Sequence, residues 1–201
     1  METKKVIFIC TANRCRSIMA EYCLRQLLEE KPLSGIVEVQ SAGIMAEEYW
    51  DFYLGFLASN GLSSSREHFY GVPPYPSTIS CLRKRGWDIQ HYNSRELSPS
   101  LAKSASLIVA MESEQKEATL TSFQGLDDRV LTLRELSDEA DSLLLEESYY
   151  QPVVRLSDPH YVYYGDDYVE GSYQEINNCL KNGYSNMMKH LQLTILDEKD
   201  K

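Results

Sequence analysis

A cysteine stands six positions before an arginine in the segment Cys10-Thr11-Ala12-Asn13-Arg14-Cys15-Arg16-Ser17, called here the Cys10 loop. An apolar, strand-like run precedes the cysteine, and a helical pattern begins at Ile18. A strand that passes through a short loop into a helix points backbone N–H groups and the helix N-terminus at one spot, which attracts an anion. The sequence therefore predicts a phosphate-binding site in this loop.

Two side chains of the Cys10 loop can carry out chemistry on a bound phosphate. The positive environment favours the thiolate form of Cys10, which is a competent nucleophile. Arg16 presents a planar fork that holds two phosphoryl oxygens and binds more tightly as charge spreads in the transition state. A buried strand end followed by a surface charge would show the same spacing. The preceding strand, Ser17 and a downstream acid favour the phosphate site.

Composition narrows the class of protein. The chain has 201 residues, of which 43% are hydrophobic, so one domain spanning residues 1–201 is expected. A net charge of -10 argues against nucleic acid as a partner. The apolar runs at 6–10 and 107–111 are shorter than the roughly 20 residues of a membrane span. Five cysteines form neither a disulfide framework nor zinc spacing, which indicates a reducing, cytoplasmic location.

Strand and helix patterns alternate along most of the chain. Strand patterns occupy residues 5–10, 37–40, 107–111 and 130–133, with a short fifth candidate at Ile89. Helical patterns occupy residues 18–30, 78–85, 113–122 and 171–196. This alternation predicts a doubly wound α/β domain, in which a parallel sheet of about four strands carries helices on both faces. Ligands of such sheets bind at the carboxyl ends of the strands, where the Cys10 loop begins.

Two segments do not follow this alternation. Residues 44–75 are rich in aromatic residues, glycine, serine and proline and are too long for an ordinary connection. They form either a lid or binding loop with a short helix near residues 50–58, or a packed surface excursion. Residues 137–147 are acidic with a leucine triplet and are expected to form a solvated helix.

An acid must protonate the leaving oxygen when a thiolate attacks a phosphate ester. Asp158 is the candidate, because Pro159 biases it away from helical conformation and stiffens its approach to a pocket. Asp-Pro pairs also open ordinary turns, so the catalytic interpretation depends on the presence of the Cys10 loop.

The chain resembles the low-molecular-weight protein tyrosine phosphatases. The specific matches are the strand, the Cys10 loop with its cysteine, five intervening residues, arginine and serine, the helix that follows, and the late Asp-Pro pair. Weaker matches follow in the family's order, namely Ala20-Glu21, Ser41-Ala42-Gly43, residues 79–83 with Gly86 and Ile89, Ala110-Met111-Glu112 at the family's Met-Asp turn, and residues 163–167. The resemblance implies hydrolysis of phosphotyrosine in protein substrates, without a cofactor or a metal.

The resemblance also implies roles for single residues. Cys10 would form a phosphocysteine intermediate, Arg16 would bind the phosphate, and Asp158 would act first as acid and then as base. Ser17 would hydrogen-bond the thiolate, and Asn13 would hold the loop with help from Ser41. The other residues expected to line the phosphate are Thr11, Ala12, Arg14 and Cys15.

Cys15 has two possible roles. It lies close enough in the loop to trap an oxidised Cys10 as a disulfide, which would protect against over-oxidation. It is equally suited to be a small buried residue. The cysteines on helical patterns are expected to pack in the core, and these are Cys23, Cys81 and Cys179.

Three positions at the site depart from the family pattern. Ala12 stands where the family usually has glycine, which distorts the anion site only if this position needs a positive φ. Arg14 corresponds to a position at the pocket rim, where related phosphoarginine phosphatases carry threonine, and its cation would repel a guanidinium. His160 replaces an aromatic residue beside the general acid and can still stack on a phenyl ring. The charge of Arg14 favours phosphotyrosine over phosphoarginine, while the atypical insertion at about 44–75 leaves one pocket wall undefined.

Other functions of the same scaffold stay open. An arsenate reductase would need further redox cysteines in the middle of the chain, where only Cys81 is available. A catalytically silent module that binds phosphoproteins would keep the anion loop, and Ala12 is the one feature in its favour. The presence of Cys10, Arg16 and Asp158 together favours a phosphatase. The oligomeric state cannot be read from the sequence.

Overall fold

A computed structural model describes residues 3–31, 35–59, 69–137, 153–154, 162–163 and 166–193 of the protein. Its main strands are β1 (Lys4–Cys10), β2 (Val37–Gly43), β3 (Leu107–Ala110) and β4 (Val130–Thr132). They form a parallel sheet in the order β2-β1-β3-β4. A separate antiparallel pair joins β5 (Val153–Val154) to β6 (Val162–Tyr163). The predicted parallel sheet of about four strands is confirmed.

Helices lie between the strands in chain order and pack against the sheet. In chain order they are α1 (Arg16–Glu29), α2 (Glu47–Ser59), α3 (Pro76–Arg83), α4 (Pro99–Ser104), α5 (Ser113–Ser122), α6 (Leu133–Ser137) and α7 (Asp166–His190). None of the described helices is long and apolar enough to cross a bilayer.

Alternate residues of β1 point into two different core clusters. Val6 and Phe8 belong to a cluster that includes residues of α1, α3, α6 and α7. Ile7 and Ile9 belong to a second cluster, on the other face, with residues of α4 and α5. Because side chains of a strand alternate between faces, a central parallel strand buried on both sides is apolar throughout. The two clusters confirm the doubly wound α/β prediction.

Two predicted elements differ from the structure. Ile89 lies in no strand, and the fifth strand is therefore wrong; this residue is apolar because it is buried in the first core cluster. The C-terminal helix begins earlier than predicted, with Asp166 and Asp167 in its first turn, where carboxylates favour the helix dipole. The helix predicted at 137–147 lies outside the described residues, except for Ser137 at the end of α6.

The carboxyl ends of β1 and β2 lie side by side, which sets the position of the Cys10 loop. Cys10 and Gly43 are register partners, and Ile44 N donates to Cys10 O at 2.9 Å. A Cβ atom on Gly43 would lie 2.5 Å from Cε1 of Tyr70 and 2.7 Å from the carbonyl oxygen of Thr11. Glycine is therefore required here by close packing of backbone and ring against the loop.

We expect Gly43→Ala to lower the free energy of unfolding by about 2 kcal/mol, because the added methyl group meets backbone and an aromatic ring. Gly55→Ala is the matched control, since a Cβ atom there has open space in α2. The control should be neutral or raise the free energy of unfolding by up to about 1 kcal/mol. Urea unfolding of both variants checks the prediction. Equal stabilities for Gly43→Ala and wild type would contradict it.

Candidate active site

The Cys10 loop connects the end of β1 to the start of α1. Cys10 is the last residue of β1 and is 4% exposed, and Arg16 is the first residue of α1 and is 6% exposed. The sulfur and the guanidinium therefore stand at the two ends of one short turn above the sheet. Helix α1 has no acidic residue in its first turn, so the positive helix end is left for an anionic ligand.

Ser17 contacts the sulfur of Cys10. Its Oγ lies 3.1 Å from Cys10 Sγ and accepts a hydrogen bond from Asn13 Nδ2 at 2.9 Å. A hydroxyl group has one proton to donate. Because the amide of Asn13 already donates to this oxygen, the hydroxyl proton can point at the sulfur, where it stabilises a thiolate.

Asn13 makes four side-chain hydrogen bonds, one inside the loop and three to residues outside it. Its Nδ2 donates to Ser17 and, at 3.0 Å, to Ser41 Oγ on β2. Its Oδ1 accepts from the hydroxyl of Tyr92 and from the backbone N–H of Arg95, both at 3.0 Å. These bonds use two donors and two lone pairs, which is the full capacity of a carboxamide.

The left-handed position in this loop is Asn13, with φ of 52°, whereas Ala12 has no positive φ. Asparagine adopts this conformation more easily than other non-glycine residues, because its side chain bonds locally. The question raised by Ala12 is therefore answered: the alanine is not strained by its backbone.

A buried carboxylate lies beneath the loop. Ser41 Oγ donates to Glu21 Oε2 at 2.7 Å, and Arg25 Nη2 donates to Glu21 Oε1 at 2.6 Å. Tyr92 OH is 2.9 Å from Ser41 Oγ. Burial raises the pKa of Tyr92, and the nearby charge of Glu21 raises it further, so this hydroxyl keeps its proton and can donate to Asn13.

Arg16 is paired with Glu112, the residue that follows β3 by two positions. Arg16 Nη1 donates to Glu112 Oε1, and Nη2 donates to Oε2 at 3.2 Å. A buried guanidinium without a counter-ion would be costly, and the carboxylate supplies one. Glu112 also accepts from Gln115 Nε2, which in turn donates to Thr11 Oγ1 at 3.3 Å. Glu112 and Gln115, at the start of α5, thus contact the Cys10 loop at Arg16 and at Thr11 respectively.

An aromatic cluster, defined here as Trp50, Tyr53, Phe69 and Tyr70, lies beside the loop. Phe69 makes edge contacts with the other three rings at centroid distances of 4.9, 5.5 and 5.1 Å, respectively for Trp50, Tyr53 and Tyr70. Tyr70 OH donates to the carbonyl oxygen of Thr11 at 3.0 Å. The short helix predicted near residues 50–58 is present as α2, and the choice between a lid or binding loop and a packed surface excursion stays a prediction.

Arg14 lies against residues that follow this cluster. Its Nε donates to the carbonyl oxygen of Pro73 at 2.9 Å, and its guanidinium lies 4.2 Å from the ring centroid of Tyr75. Tyr75 N donates back to Arg14 O at 3.2 Å. The side chain therefore fastens the segment after the aromatic cluster to the loop and keeps a fixed positive charge there.

Cys15 is a buried thiol at the N-cap of α1. Burial raises its pKa from 9.0 to about 12, and the neighbouring Cys10 adds to this effect. A thiol that stays protonated is a slow attacker in disulfide formation. All five cysteines are free, and the disulfide between Cys10 and Cys15 stays a prediction.

Two predicted site residues, Asp158 and His160, lie outside the described residues. The structure brings together the other predicted members, and these are Cys10, Thr11, Ala12, Asn13, Arg14, Cys15, Arg16, Ser17 and Ser41. Sequence reasoning assigned no role to Tyr92, Arg95 or Gln115. Glu21 and Glu112 were present only as weak family matches. Within the described ranges, no group of three or more His, Cys, Asp and Glu side chains is arranged to hold a metal ion.

Comparisons with known proteins agree with this geometry. The profile of the low molecular weight phosphotyrosine protein phosphatases matches residues 5–52 and 57–195. A protein-arginine-phosphatase of Bacillus subtilis is 30% identical over 130 residues, which is 65% of this chain and 70% of that protein. The low molecular weight protein-tyrosine-phosphatase YfkJ of the same organism is 26% identical over 93% of this chain and 95% of its own length.

The crystal structure of YfkJ superposes with a TM-score of 0.65 at 21% identity, covering 94% of this chain and 97% of that one. The chain belongs to the low molecular weight phosphotyrosine protein phosphatase family.

The raised pKa of Cys15 predicts alkaline destabilisation. The unfolded chain loses this thiol proton above about pH 9, whereas the folded protein keeps it to about pH 12, so the unfolded state gains stability as pH rises. Between about pH 7 and about pH 10, wild type should lose about 1 kcal/mol more unfolding free energy than Cys15→Ala. Urea unfolding at both pH values measures this, and equal losses would contradict the assignment.

Proposed function

We propose that the protein hydrolyses phosphotyrosine monoesters in protein substrates through a phosphocysteine intermediate. One observation carries the proposal: the sulfur of Cys10 lies 3.1 Å from a serine hydroxyl, inside a turn whose other end is the buried guanidinium of Arg16. A nucleophile and an oxyanion-binding cation are thereby held on one rigid loop, which is the arrangement that thiolate attack on phosphorus requires.

The first step forms the sulfur–phosphorus bond. The thiolate of Cys10 attacks phosphorus, the bond to the tyrosyl oxygen breaks, and its electron pair stays on that oxygen. Arg16 and the N–H groups of the loop bind the equatorial oxygens, where negative charge gathers in the transition state. Asp158 is the proposed donor of the proton that the leaving oxygen takes up.

The second step releases phosphate. Water attacks phosphorus, the bond to sulfur breaks, and Cys10 leaves as a thiolate stabilised by Ser17. Asp158, now ionised, would accept the proton from the water, so one carboxyl group serves as acid and then as base. No step needs a metal or a cofactor.

The aromatic cluster supports a phenyl phosphate as substrate. Its member Tyr70 bonds to Thr11 and packs edge-on against Phe69, and aromatic rings favour edge or offset contacts with another ring. A phosphotyrosine ring must lie next to a phosphate bound in the loop. By the family resemblance, His160 would flank the general acid and could stack on that ring.

Two variants, each assayed on an aryl phosphate and on a phosphotyrosine peptide, test this mechanism. Cys10→Ser should lower kcat at least about 10³-fold, because the hydroxyl is a much weaker nucleophile. Asp158→Ala should lower kcat about 10²-fold on phosphotyrosine and less on p-nitrophenyl phosphate, whose leaving group needs no proton. Steady-state kinetics measure both changes in kcat. If wild type and Cys10→Ser both bind phosphate and neither hydrolyses, a phosphoprotein-binding module replaces the phosphatase.

A second candidate substrate is phosphoarginine, because one relative is named a protein-arginine-phosphatase. The fixed positive charge of Arg14 beside the aromatic cluster opposes it, since a guanidinium substrate would be repelled. An arsenate reductase is less favoured, because Cys81 alone is available in the middle of the chain and is buried.

Arg14→Thr should raise the ratio of kcat/KM for phosphoarginine to kcat/KM for phosphotyrosine at least about tenfold, because the repelling charge is removed. The matched control is Arg129→Thr, since Arg129 also donates to a backbone carbonyl, that of Ala105. A side-by-side assay of phosphotyrosine, phosphoserine and phosphoarginine peptides measures the ratio. A wild-type preference for phosphoarginine would make that the substrate.

The proposed partners are phosphoproteins, and the proposed location is the cytosol. A reducing compartment agrees with five free cysteines, among them a nucleophile that must stay reduced to act.

A further inference from the structure

Gln115 lies between the two ends of the Cys10 loop. It is in the first turn of α5 and is 3% exposed. Its Nε2 donates to Thr11 Oγ1, next to the nucleophile, and to Glu112 Oε2, the carboxylate that holds Arg16. One amide group therefore connects the residue after Cys10 to the counter-ion of the phosphate-binding arginine.

The amide oxygen of Gln115 has no hydrogen-bond partner within the described part of the chain. A buried polar atom left without a partner costs folding free energy, and an apolar side chain of the same volume would avoid that cost. The benefit of glutamine at this position must therefore come from its two N–H bonds. Both of these bonds go to the site.

We propose that Gln115 is a positioning residue for Arg16. A glutamate side chain has three rotatable bonds, so the bonds to Arg16 alone leave the Glu112 carboxylate free to turn together with the guanidinium. The second hydrogen bond, from Gln115, fixes that carboxylate and so fixes the plane of the guanidinium fork. The bond to Thr11 keeps this unit at a constant distance from the loop N–H groups, so the oxyanion meets donors that are already aligned. The inference rests on the proposed phosphate chemistry of this site.

A second group of the same three residue types provides a control. On α7, Glu170 accepts from Arg85 Nη2 and, at 2.9 Å, from Gln174 Nε2. Gln174 is exposed and touches no residue of the Cys10 loop among the described contacts. It repeats the local chemistry of Gln115 away from the anion site.

The experiment measures binding of inorganic phosphate by calorimetry, thermal unfolding, and kcat and KM on p-nitrophenyl phosphate. Gln115→Met should raise the phosphate Kd and KM about tenfold, the loss expected for one hydrogen bond to a charged group. Its thermal midpoint should stay equal or rise, because the unpartnered amide oxygen is gone. Gln174→Met should change neither Kd nor KM. Glu112→Gln gives the full effect of releasing Arg16.

Gln115→Glu keeps the shape of the side chain and places a second carboxylate beside Glu112. We expect phosphate affinity to fall more than in Gln115→Met at neutral pH and to recover toward the wild-type value as pH falls through the carboxyl range, about pH 4 to 6. A purely structural residue would not produce this pH profile.

Unchanged phosphate affinity in Gln115→Met overturns the proposal, and so does a loss of affinity that only accompanies a lower thermal midpoint. If Gln115→Met does not fold, the pH profile of Gln115→Glu tests the proposal. A phosphate affinity that does not recover as pH falls would overturn it. Phosphate binding is measured without turnover. An inactive wild type would therefore count against the proposed function while leaving this test intact.

Discussion

The geometry of the site depends on the side chain of Asn13. Its carboxamide bonds to α1 through Ser17, to β2 through Ser41, and to the segment of Tyr92 and Arg95 that runs beside β2. Four hydrogen bonds offset the cost of a left-handed backbone at a non-glycine residue. The side chain of Asn13 therefore holds the turn in one conformation before any ligand arrives. The N–H groups of the turn then need no reorganisation to meet an oxyanion.

The protein carries a net charge of -10, whereas the proposed ligand of the site is an anion. Glu21 and Glu112 add negative charge close to the loop, yet each is held by an arginine, Arg25 and Arg16 respectively. A guanidinium has five N–H donors. The carboxylate of Glu112 pairs with donors of both terminal nitrogens, and this ion pair stabilises the buried cation.

Local patterns in the sequence were sufficient to predict the sheet and the chemical core of the site. Residues 6–9 are apolar on both faces of a central strand, and Cys10 and Arg16 lie at the two ends of one short turn, so their places in the chain depend on no distant contact. Ile89 shows the limit of this reasoning, because burial in a core cluster produces the same apolar residue as a strand does.

Two long-range partners of the loop, Tyr92 and Gln115, could not be predicted, whereas the family resemblance pointed to Ser41. Tyr92 lies 79 positions from Asn13, and Gln115 lies 104 positions from Thr11. Neither belongs to a motif, and each acquires its role only when the fold brings two chain segments together. Ala12 illustrates the same point from within the loop, since only the backbone conformation reveals that its neighbour takes the left-handed position.

The attachment of residues 70–75 has an evolutionary consequence. Gly71 and Val72 exchange backbone hydrogen bonds with Ser94, Tyr70 bonds to Thr11, and Pro73 and Tyr75 bond to Arg14. These bonds fix the stretch to the catalytic turn independently of the chain that leads into it from α2. A change of sequence or length between α2 and Phe69 would therefore leave in place the hydrogen bonds that hold residues 70–75 to the Cys10 loop.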